Sequence, residues 1–401
     1  MGESLKLRLI KNASWLFIAE VLARGLAYLL VVLIGRYLGP EGLGQYSFIF
    51  YYVGLFAVFS DFGVSYYFMR EVARDRRNVK LFPYLLSFKL FVATLDSLIA
   101  IGIAFLLSKP LAVKILIALV ALESILYWTS WIFRNAMYAF EVTKYSALTR
   151  IVERVWAFTV GGLVLALTRS LTWLIVALVV GYVIRDVMMI TFALRFVRVS
   201  FKVSGKVWIN TLKRSFPFWL IGLFSTIYYR TDVVMLNLLT NDYQTGLYRG
   251  ALMLIEAAMF IPTVIVNTVM APMARLHGSD RKLLKLLFNK VFFALFGVGI
   301  LGVIGYEVFA GFLVKTFFGN KFVPSAPILK VLALAMLPMF LNSLFGSYLN
   351  ATGRKLEFTK ITGITALTNV VLNFVLISYM GARGGSIGDR NKSVPCLPTI
   401  V

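Results

Sequence analysis

The stretch "FIAEVLARGLAYLLVVLIG" (residues 17–35) is long and apolar enough to cross a membrane, yet it contains Glu20 and Arg24. A membrane-spanning helix needs about 20 mainly apolar residues. A charged side chain at the centre of a bilayer costs about 2.5–3.5 kcal/mol on insertion scales, so such residues pair with one another or face a wet interior. The stretch therefore predicts a transmembrane helix whose two charges have a defined partner or ligand.

The composition of the whole chain agrees with this prediction. Its 401 residues are 60% hydrophobic and 15% charged, with a mean hydropathy of +0.83. Soluble chains are roughly 45–50% apolar and about 25% charged. A single cysteine, Cys396, and a single histidine, His277, exclude an internal disulfide and make cysteine- or histidine-based metal sites untenable. The chain is predicted to be an integral membrane protein that binds no metal.

Eleven apolar runs are long enough to be transmembrane helices, and they predict an all-α integral membrane fold. Strands of a membrane barrel would instead show alternating segments of about ten residues. The first run lacks a small-residue cleavage site and is interpreted as a retained span rather than a signal peptide. The runs lie at approximately 12–38, 44–68, 82–107, 111–133, 144–168, 171–194, 215–239, 246–271, 284–309, 325–350 and 357–380.

Lysine and arginine are concentrated in alternate connecting segments, those on the same side as the N-terminus. Cytoplasmic loops carry such an excess, so the N-terminus is predicted to be cytoplasmic, with the protein in the inner membrane of the cell. The bias explains most of the net charge of +23 without nucleic acid as a partner.

The most basic of these segments, "RFVRVSFKVSGKVWINTLKR" (195–214), separates six predicted spans from five. We therefore predict an N-terminal six-helix bundle (1–198), a basic cytoplasmic linker (199–214), a C-terminal bundle of five helices (215–380) and a polar tail (381–401). A sixth span in the second bundle is expected from the first bundle and is absent, so the C-terminus is interpreted as truncated.

Short motifs recur in the two halves. "LGPEGLGQY" (38–46) and "LTNDYQTGLY" (239–248) both end in Gly-x-Tyr and follow the first span of each half. "NAMYAFEVTKYSA" (135–147) and "SYLNATGRKLEFTK" (347–360) follow the fourth span of each half. Six spans separate the copies, so the halves repeat in the same orientation, which is typical of transporters that bind substrate between repeats.

Glu20, Arg24 and Tyr28 recur every four residues and therefore lie on one face of the first helix. Two interpretations remain open. Glu20 and Arg24 could neutralise each other as an internal ion pair. Alternatively, Glu20 could hold Arg24 extended into a cavity, where its guanidinium would bind phosphate oxygens in a bidentate manner.

The other charges in the predicted spans give further candidates. Arg230 is the corresponding cation in the first span of the second half, and Asp232 is interpreted as a hydrogen-bonding group. Neighbours Glu153–Arg154 and Arg185–Asp186 are predicted to pair between spans five and six. The candidate substrate-binding residues are Arg24, Arg230, Glu20, Lys89, Arg154 and Arg185. The carboxylates that could couple transport to Na⁺ or H⁺ are Asp61, Asp96, Glu123 and Glu256, although Asp61 also suits a loop-anchoring role. The candidate hinges are Pro217, Pro262 and Pro338, since proline bends helices.

Three stretches are similar to the Wzx-type polysaccharide flippases, which share a superfamily with the MATE drug exporters. They are "IGRYLGPEGLGQYSFIFYYVGLFAVFSDFGVSYYFMREVAR" (34–74), "SFPFWLIGLFSTIYYRTDVVMLNLLTNDYQTGLYRGA" (215–251) and "YLNATGRKLEF" (348–358). The resemblance implies a MATE-like, V-shaped pair of bundles around a positively charged cavity. It implies export of glycan linked to a polyprenyl diphosphate, with Arg24 and Arg230 receiving the diphosphate. The lipid bilayer and other membrane proteins of polysaccharide assembly are the implied partners.

Two other functions are weighed against this one. A cation-coupled multidrug exporter of the same fold would need an uncompensated carboxylate such as Asp61, Asp96 or Glu123. A membrane polymerase or ligase of lipid-linked sugars would use a long external loop, and every predicted external loop is short. No nucleotide-binding or hydrolase motif is present, so the chain is predicted to be a transporter rather than an enzyme.

Overall fold

The computed structural model describes the backbone of residues 2–354, 357, 360–365, 367–368 and 370–371, and side chains from residue 20 onward. Every regular element in these ranges is helical. Most of the predicted eleventh span (357–380) lies outside the described residues, as do the predicted tail (381–401) and Cys396.

Twelve α-helices follow one another along the described chain. They are α1 (Gly2–Phe56), α2 (Val64–Arg74), α3 (Phe82–Leu106), α4 (Leu111–Ala139), α5 (Lys144–Trp156), α6 (Gly162–Thr168), α7 (Leu171–Ala193), α8 (Gly205–Leu239), α9 (Asp242–Ala258), α10 (Phe260–Ser279), α11 (Arg281–Phe318) and α12 (Ser325–Ala351). A π-helical turn, Ala157–Gly161, joins α5 to α6 without a break, and short 3₁₀ turns precede α3 and α12.

Eight helical stretches within the described residues are long and apolar enough to cross a membrane. This confirms the prediction of an all-α, multi-pass membrane protein. The helix α8 contains the predicted seventh span (215–239) but is not among the eight. Serine, threonine, tyrosine and charged residues dilute its apolar character.

The connection predicted between the first two spans (39–43) is helical except at Gly39. Gly39 has φ 73° and ψ −172°, a conformation that glycine alone adopts readily, and it turns the chain for a single residue. Pro40 then begins a new helical stretch, because its missing N–H and fixed φ suit the first helical position. The predicted second span (44–68) is interrupted between Phe56 and Val64, where Phe62 and Gly63 both have positive φ.

Two of the three predicted hinge prolines lie inside helices. Pro217 is in α8 and Pro338 is in α12. Pro262 lies instead in the first turn of α10, just after the break at Met259 that divides the predicted eighth span (246–271) into α9 and α10. The missing N–H of Pro262 removes one helical bond at this break. The hinge roles stay predictions.

The chain divides into two compact units. The first comprises the chain up to Leu38 together with Ile49–Thr226, and the second comprises Gly39–Phe48 together with the chain from Ile227 onward. In the first unit, α2, α3, α4 and α7 enclose a core of aromatic and aliphatic side chains that includes Phe68, Phe82, Phe133 and Met189. In the second unit, α10, α11 and α12 enclose Val266, Met273, Leu295 and Leu344. The predicted boundaries of the bundles and linker stay predictions.

The two copies of the Gly-x-Tyr motif pack against each other inside the second unit. A β carbon at Gly44 would lie 1.8 Å from the carbonyl oxygen of Asp242, and one at Gly246 would lie 1.8 Å from that of Pro40. Gln45 fixes the crossing, since its Nε2 donates to Asp242 Oδ2 at 3.0 Å. The repeated glycines therefore exist because backbone meets backbone here, as in the small-residue crossings of other membrane helices.

Replacing Gly246 by alanine is expected to force these two helices apart. Overpacking of a close contact costs on the order of 1–3 kcal/mol, and a clash with backbone cannot be relieved by a rotamer change. We expect Gly246→Ala, and equally Gly44→Ala, to lower the apparent unfolding temperature in detergent, measured by fluorescence-detected size exclusion.

Gly305→Ala is the matched control, because nothing lies within 4 Å of its added β carbon in α11. Alanine is favoured over glycine within helices by about 1 kcal/mol, so this variant should unfold at the same temperature or higher. If Gly246→Ala has the same unfolding temperature as Gly305→Ala, the two helices do not cross in close contact at Gly246.

Candidate functional site

The predicted pair of Glu20 and Arg24 forms, and a second arginine joins it. Arg24 Nε donates to Glu20 Oε1 at 2.8 Å, and Arg150 Nη1 donates to Glu20 Oε2. Both arginine side chains remain open, with 45% of Arg24 and 38% of Arg150 exposed. The cluster thus has two cations on one carboxylate, and neither guanidinium is sealed. Glu20 and Arg24 therefore do form an ion pair, but Arg150 shares the carboxylate and both arginines stay partly exposed.

Arg150 is the member of the cluster that is absent from the residues predicted from the sequence. It lies in α5, within the helical stretch Lys144–Thr168, which is long and apolar enough to span a membrane. Glu20 and Arg24 lie in another such stretch, Glu20–Phe56 of α1. Arg154 lies four residues further along α5 and is therefore on the same face as Arg150. Its Nη2 is 3.4 Å from Glu153 Oε1, and its side chain is one-third exposed. The four-residue spacing of Arg150 and Arg154 indicates a cationic face on α5, but it does not indicate that this face meets Glu20.

Lys89 lies in a different, closed environment. It is fully buried in α3, where Nζ donates to Asp61 Oδ1 and, at 3.2 Å, to the carbonyl oxygen of Ser60. Asp61 also accepts from Ser65 Oγ, so it anchors the turn between α1 and α2 as its sequence position suggested. Ser60 Oγ donates in turn to Asp96 Oδ2 at 2.6 Å. Asp96 is 7% exposed and has no cationic partner among the described residues.

Arg185 lies in a second buried cluster in the first unit. Its guanidinium donates to Glu123 at 3.0 Å, to Glu153 at 3.2 Å and to Asp186 at 2.8 Å, and it lies 4.5 Å from the ring centroid of Tyr127. The predicted pairing between spans five and six is present in the contact of Arg185 with Glu153. Three carboxylates therefore surround one arginine, whose side chain is 11% exposed. Arg185 thus differs from Arg24 and Arg150, which are more exposed and share a single carboxylate.

The second unit contains the remaining candidates. Arg230 is partly buried in α8. Asp232 accepts a hydrogen bond from Tyr248 at 2.7 Å and one from the amide of Val233 at 2.8 Å, as expected for a hydrogen-bonding group. Glu256 pairs with Arg249 at 2.9 Å. No group of acidic, histidine or cysteine residues in the described part of the chain could hold a metal ion.

The sequence of the chain is similar to that of a known protein family. Residues 9–276, more than half of the chain, match the sequence profile of the family described as "Polysaccharide biosynthesis protein". A membrane protein of Methanocaldococcus jannaschii, described as uncharacterized, is 24% identical over 96% of this chain and 81% of its own length.

Two solved structures show the same fold. The lipid II flippase MurJ in an inward closed conformation superposes with a TM-score of 0.75 at 16% identity, covering 92% of this chain and 82% of its own. An inward-facing MATE family multidrug resistance transporter of the MOP superfamily superposes with a TM-score of 0.71 at 14% identity, covering 90% of this chain and 89% of its own. The all-α membrane fold is thus that of the MOP superfamily transporters, and the chain belongs to the polysaccharide biosynthesis protein family.

Proposed function

We propose that the protein is a flippase that moves oligosaccharide linked to a polyprenyl diphosphate from the cytoplasmic to the outer leaflet by alternating access. The observation that carries the proposal is the open arginine pair, Arg24 and Arg150, on Glu20. The family match and the fold shared with a lipid II flippase support it.

The chemistry of the arginine pair suits a diphosphate. Guanidinium groups present parallel N–H donors that match two phosphate oxygens at once, and such charge-assisted bonds are about twice as strong as neutral ones. Glu20 accepts from Nε of Arg24, and the terminal nitrogens of that guanidinium have no hydrogen bond to the described residues. Because one carboxylate serves two arginines, the cluster keeps a net positive charge for an anion to neutralise.

Glu20 has a positioning role in this proposal. Without it, two guanidiniums at membrane depth would repel each other and turn toward water. With it, both are held in one place before the ligand arrives, so less side-chain entropy is lost on binding. Arg154, on the same face of α5, and Arg230, in the second unit, are further candidates to bind the anionic part of the cargo.

The proposed location is the cytoplasmic membrane with a cytoplasmic N-terminus. The excess of lysine and arginine in the segments on the N-terminal side supports this orientation. The cargo would then be loaded on the side where those segments lie.

Proton coupling is proposed for Asp96 rather than for the other carboxylates. Asp61 pairs with Lys89, Glu256 pairs with Arg249, and Glu123 shares Arg185. Asp96 accepts only from Ser60 among the described residues, and a buried carboxylate without a cation is costly unless it binds a proton. Lys89 and Asp61, joined to it through Ser60, are the charged groups that would respond to its proton.

A cation-coupled exporter of cationic drugs is a second candidate, and the unpaired Asp96 is the observation in its favour. The net positive charge of the Glu20 cluster opposes it, because a cationic substrate would be repelled there. Proteoliposomes should therefore take up no cationic dye above the rate of empty liposomes.

Replacing Arg24 by alanine is expected to reduce transport at least tenfold, because one of two phosphate-binding groups is lost. The measurement is leaflet exchange of a fluorescent polyprenyl-diphosphate oligosaccharide in proteoliposomes. Arg150→Ala should have a similar effect, and Glu20→Gln a smaller one. The exposed Arg77→Ala, outside this cluster and paired with Asp75, is the control and should transport normally. Normal exchange by Arg24→Ala and Arg150→Ala would refute the role of the pair.

Replacing Asp96 by asparagine, which imitates the protonated acid, is expected to make transport insensitive to an imposed pH gradient. The wild type should respond to that gradient and not to a sodium gradient. Asp75→Asn serves as control, since Asp75 is exposed and lies in a connecting segment. A sodium-dependent wild type, or an Asp96→Asn variant that still follows the pH gradient, would rule out proton coupling at this residue.

A further inference from the structure

The second unit contains a cavity whose lining includes none of the residues of the Glu20 cluster. It has a volume of about 310 Å³ and lies among α8, α10 and α12. Small-molecule sites are typically 300–1,000 Å³, so this cavity has room for a small ligand or for part of a larger one. Its lining polar side chains are Tyr228, Tyr229, Asn267, Asn342, Ser343, Ser347 and Asn350, and methionine and valine side chains complete the wall.

The lining is polar but uncharged. None of the described residues that form it is an acid or a base. A phosphate would find no cation in the cavity, and a metal ion or cationic drug would find no carboxylate. Amides and hydroxyls both donate and accept hydrogen bonds, which matches the hydroxyl groups of a sugar. The tyrosine rings provide flat faces against which the C–H face of a sugar ring can pack.

The hydrogen-bonding groups in this wall are largely unused. Ser347 is 7% exposed, and its hydroxyl has no partner among the described residues. The amides of Asn267 and Asn342 make no hydrogen bond within the described part of the chain. Buried polar groups are normally satisfied, and a buried group without a partner indicates an absent water or ligand. Ser347 is such a group, and the exposed amides of Asn267 and Asn342 line the same cavity.

We propose that this cavity binds a neutral sugar of the lipid-linked glycan, and the proposal rests on the flippase function above. Asn267 and Asn342 are the direct contacts with sugar hydroxyls, and Ser347 supplies a third. Asn267 lies in the later half of the membrane-length stretch Asp242–Ser279, and Asn342 lies in the later half of α12. In the proposed orientation these are the cytoplasmic halves. That is the side on which the cargo is loaded. The cavity thereby distinguishes a glycosylated lipid from the bare polyprenyl diphosphate.

The test compares three lipids bound to the full chain in nanodiscs. They are a bare polyprenyl diphosphate, the same lipid carrying neutral hexose or N-acetylhexosamine disaccharides, and the same lipid carrying a uronic-acid disaccharide. We expect a neutral disaccharide to raise affinity at least tenfold over the bare lipid, and the acidic one to add less, because no cation lines the cavity. No gain from any neutral sugar overturns the proposal.

Two variants separate a binding role from a structural one. Asn342→Ala and Ser347→Ala are expected to lose most of the gain from the neutral sugar while binding the bare lipid as the wild type does. Ser347→Ala should unfold at or above the wild-type temperature, because it removes a hydroxyl that has no partner. Asn320→Ala, at an exposed asparagine outside the cavity, should keep the gain. If the two cavity variants retain the gain, or weaken both lipids equally, the cavity does not bind sugar.

The failure of this proposal is distinguishable from failure of the proposed function. A wild type that binds the bare lipid in an Arg24-dependent manner but gains nothing from sugar overturns the sugar cavity alone. A wild type that binds none of the three lipids overturns both.

Discussion

The cost of holding a charge in a low-dielectric interior governs this molecule. Two buried cations in the first unit, Lys89 and Arg185, offset that cost by pairing with carboxylates: Lys89 with Asp61, and Arg185 with three acids. Glu20 reverses the ratio, with one carboxylate and two exposed arginines. The cluster therefore has a net positive charge, which is stable only if water solvates it or an anion neutralises it. The cost of burying charge explains why few residues of the chain are charged, and it is also the reason for proposing an anionic ligand at the Glu20 cluster.

Close packing is the second constraint, and the crossing at Gly44 and Gly246 in the second unit is an example of it. Hydrophobic burial contributes little between helices that already lie in lipid, so contact distance and polar bonds decide which helices associate. Gly44 and Gly246 let backbones touch, and Gln45 and Asn237 both donate to Asp242 beside that crossing. Polar side chains that would be expendable in a soluble bundle thus help to hold this one together.

The sequence was sufficient for the fold class because apolar run length and loop charge are strong signals in membranes. It also predicted the Glu20–Arg24 bond, since a spacing of four residues places two side chains on one face. It could not predict that Arg150 would complete the cluster, because contacts between distant helices leave no local pattern. The cavity near Asn342 was missed for a related reason: uncharged amides scattered over three helices have no periodic signature. The helix through Pro40 was missed because glycine and proline usually mark loops, whereas here they form a one-residue turn.

The π-helical turn at Ala157–Gly161 has an evolutionary implication. A π turn holds one residue more than an α-helical turn of the same position, and it is absorbed here without ending the helix. Losing that one residue would convert the π turn into an ordinary α-helical turn, so α5 with its arginines and α6 would keep their relative orientation. The helix can therefore lose one residue at this place without moving Arg150 and Arg154 to another face. The same deletion within α5 would rotate the segments on either side of it by roughly 100° relative to each other.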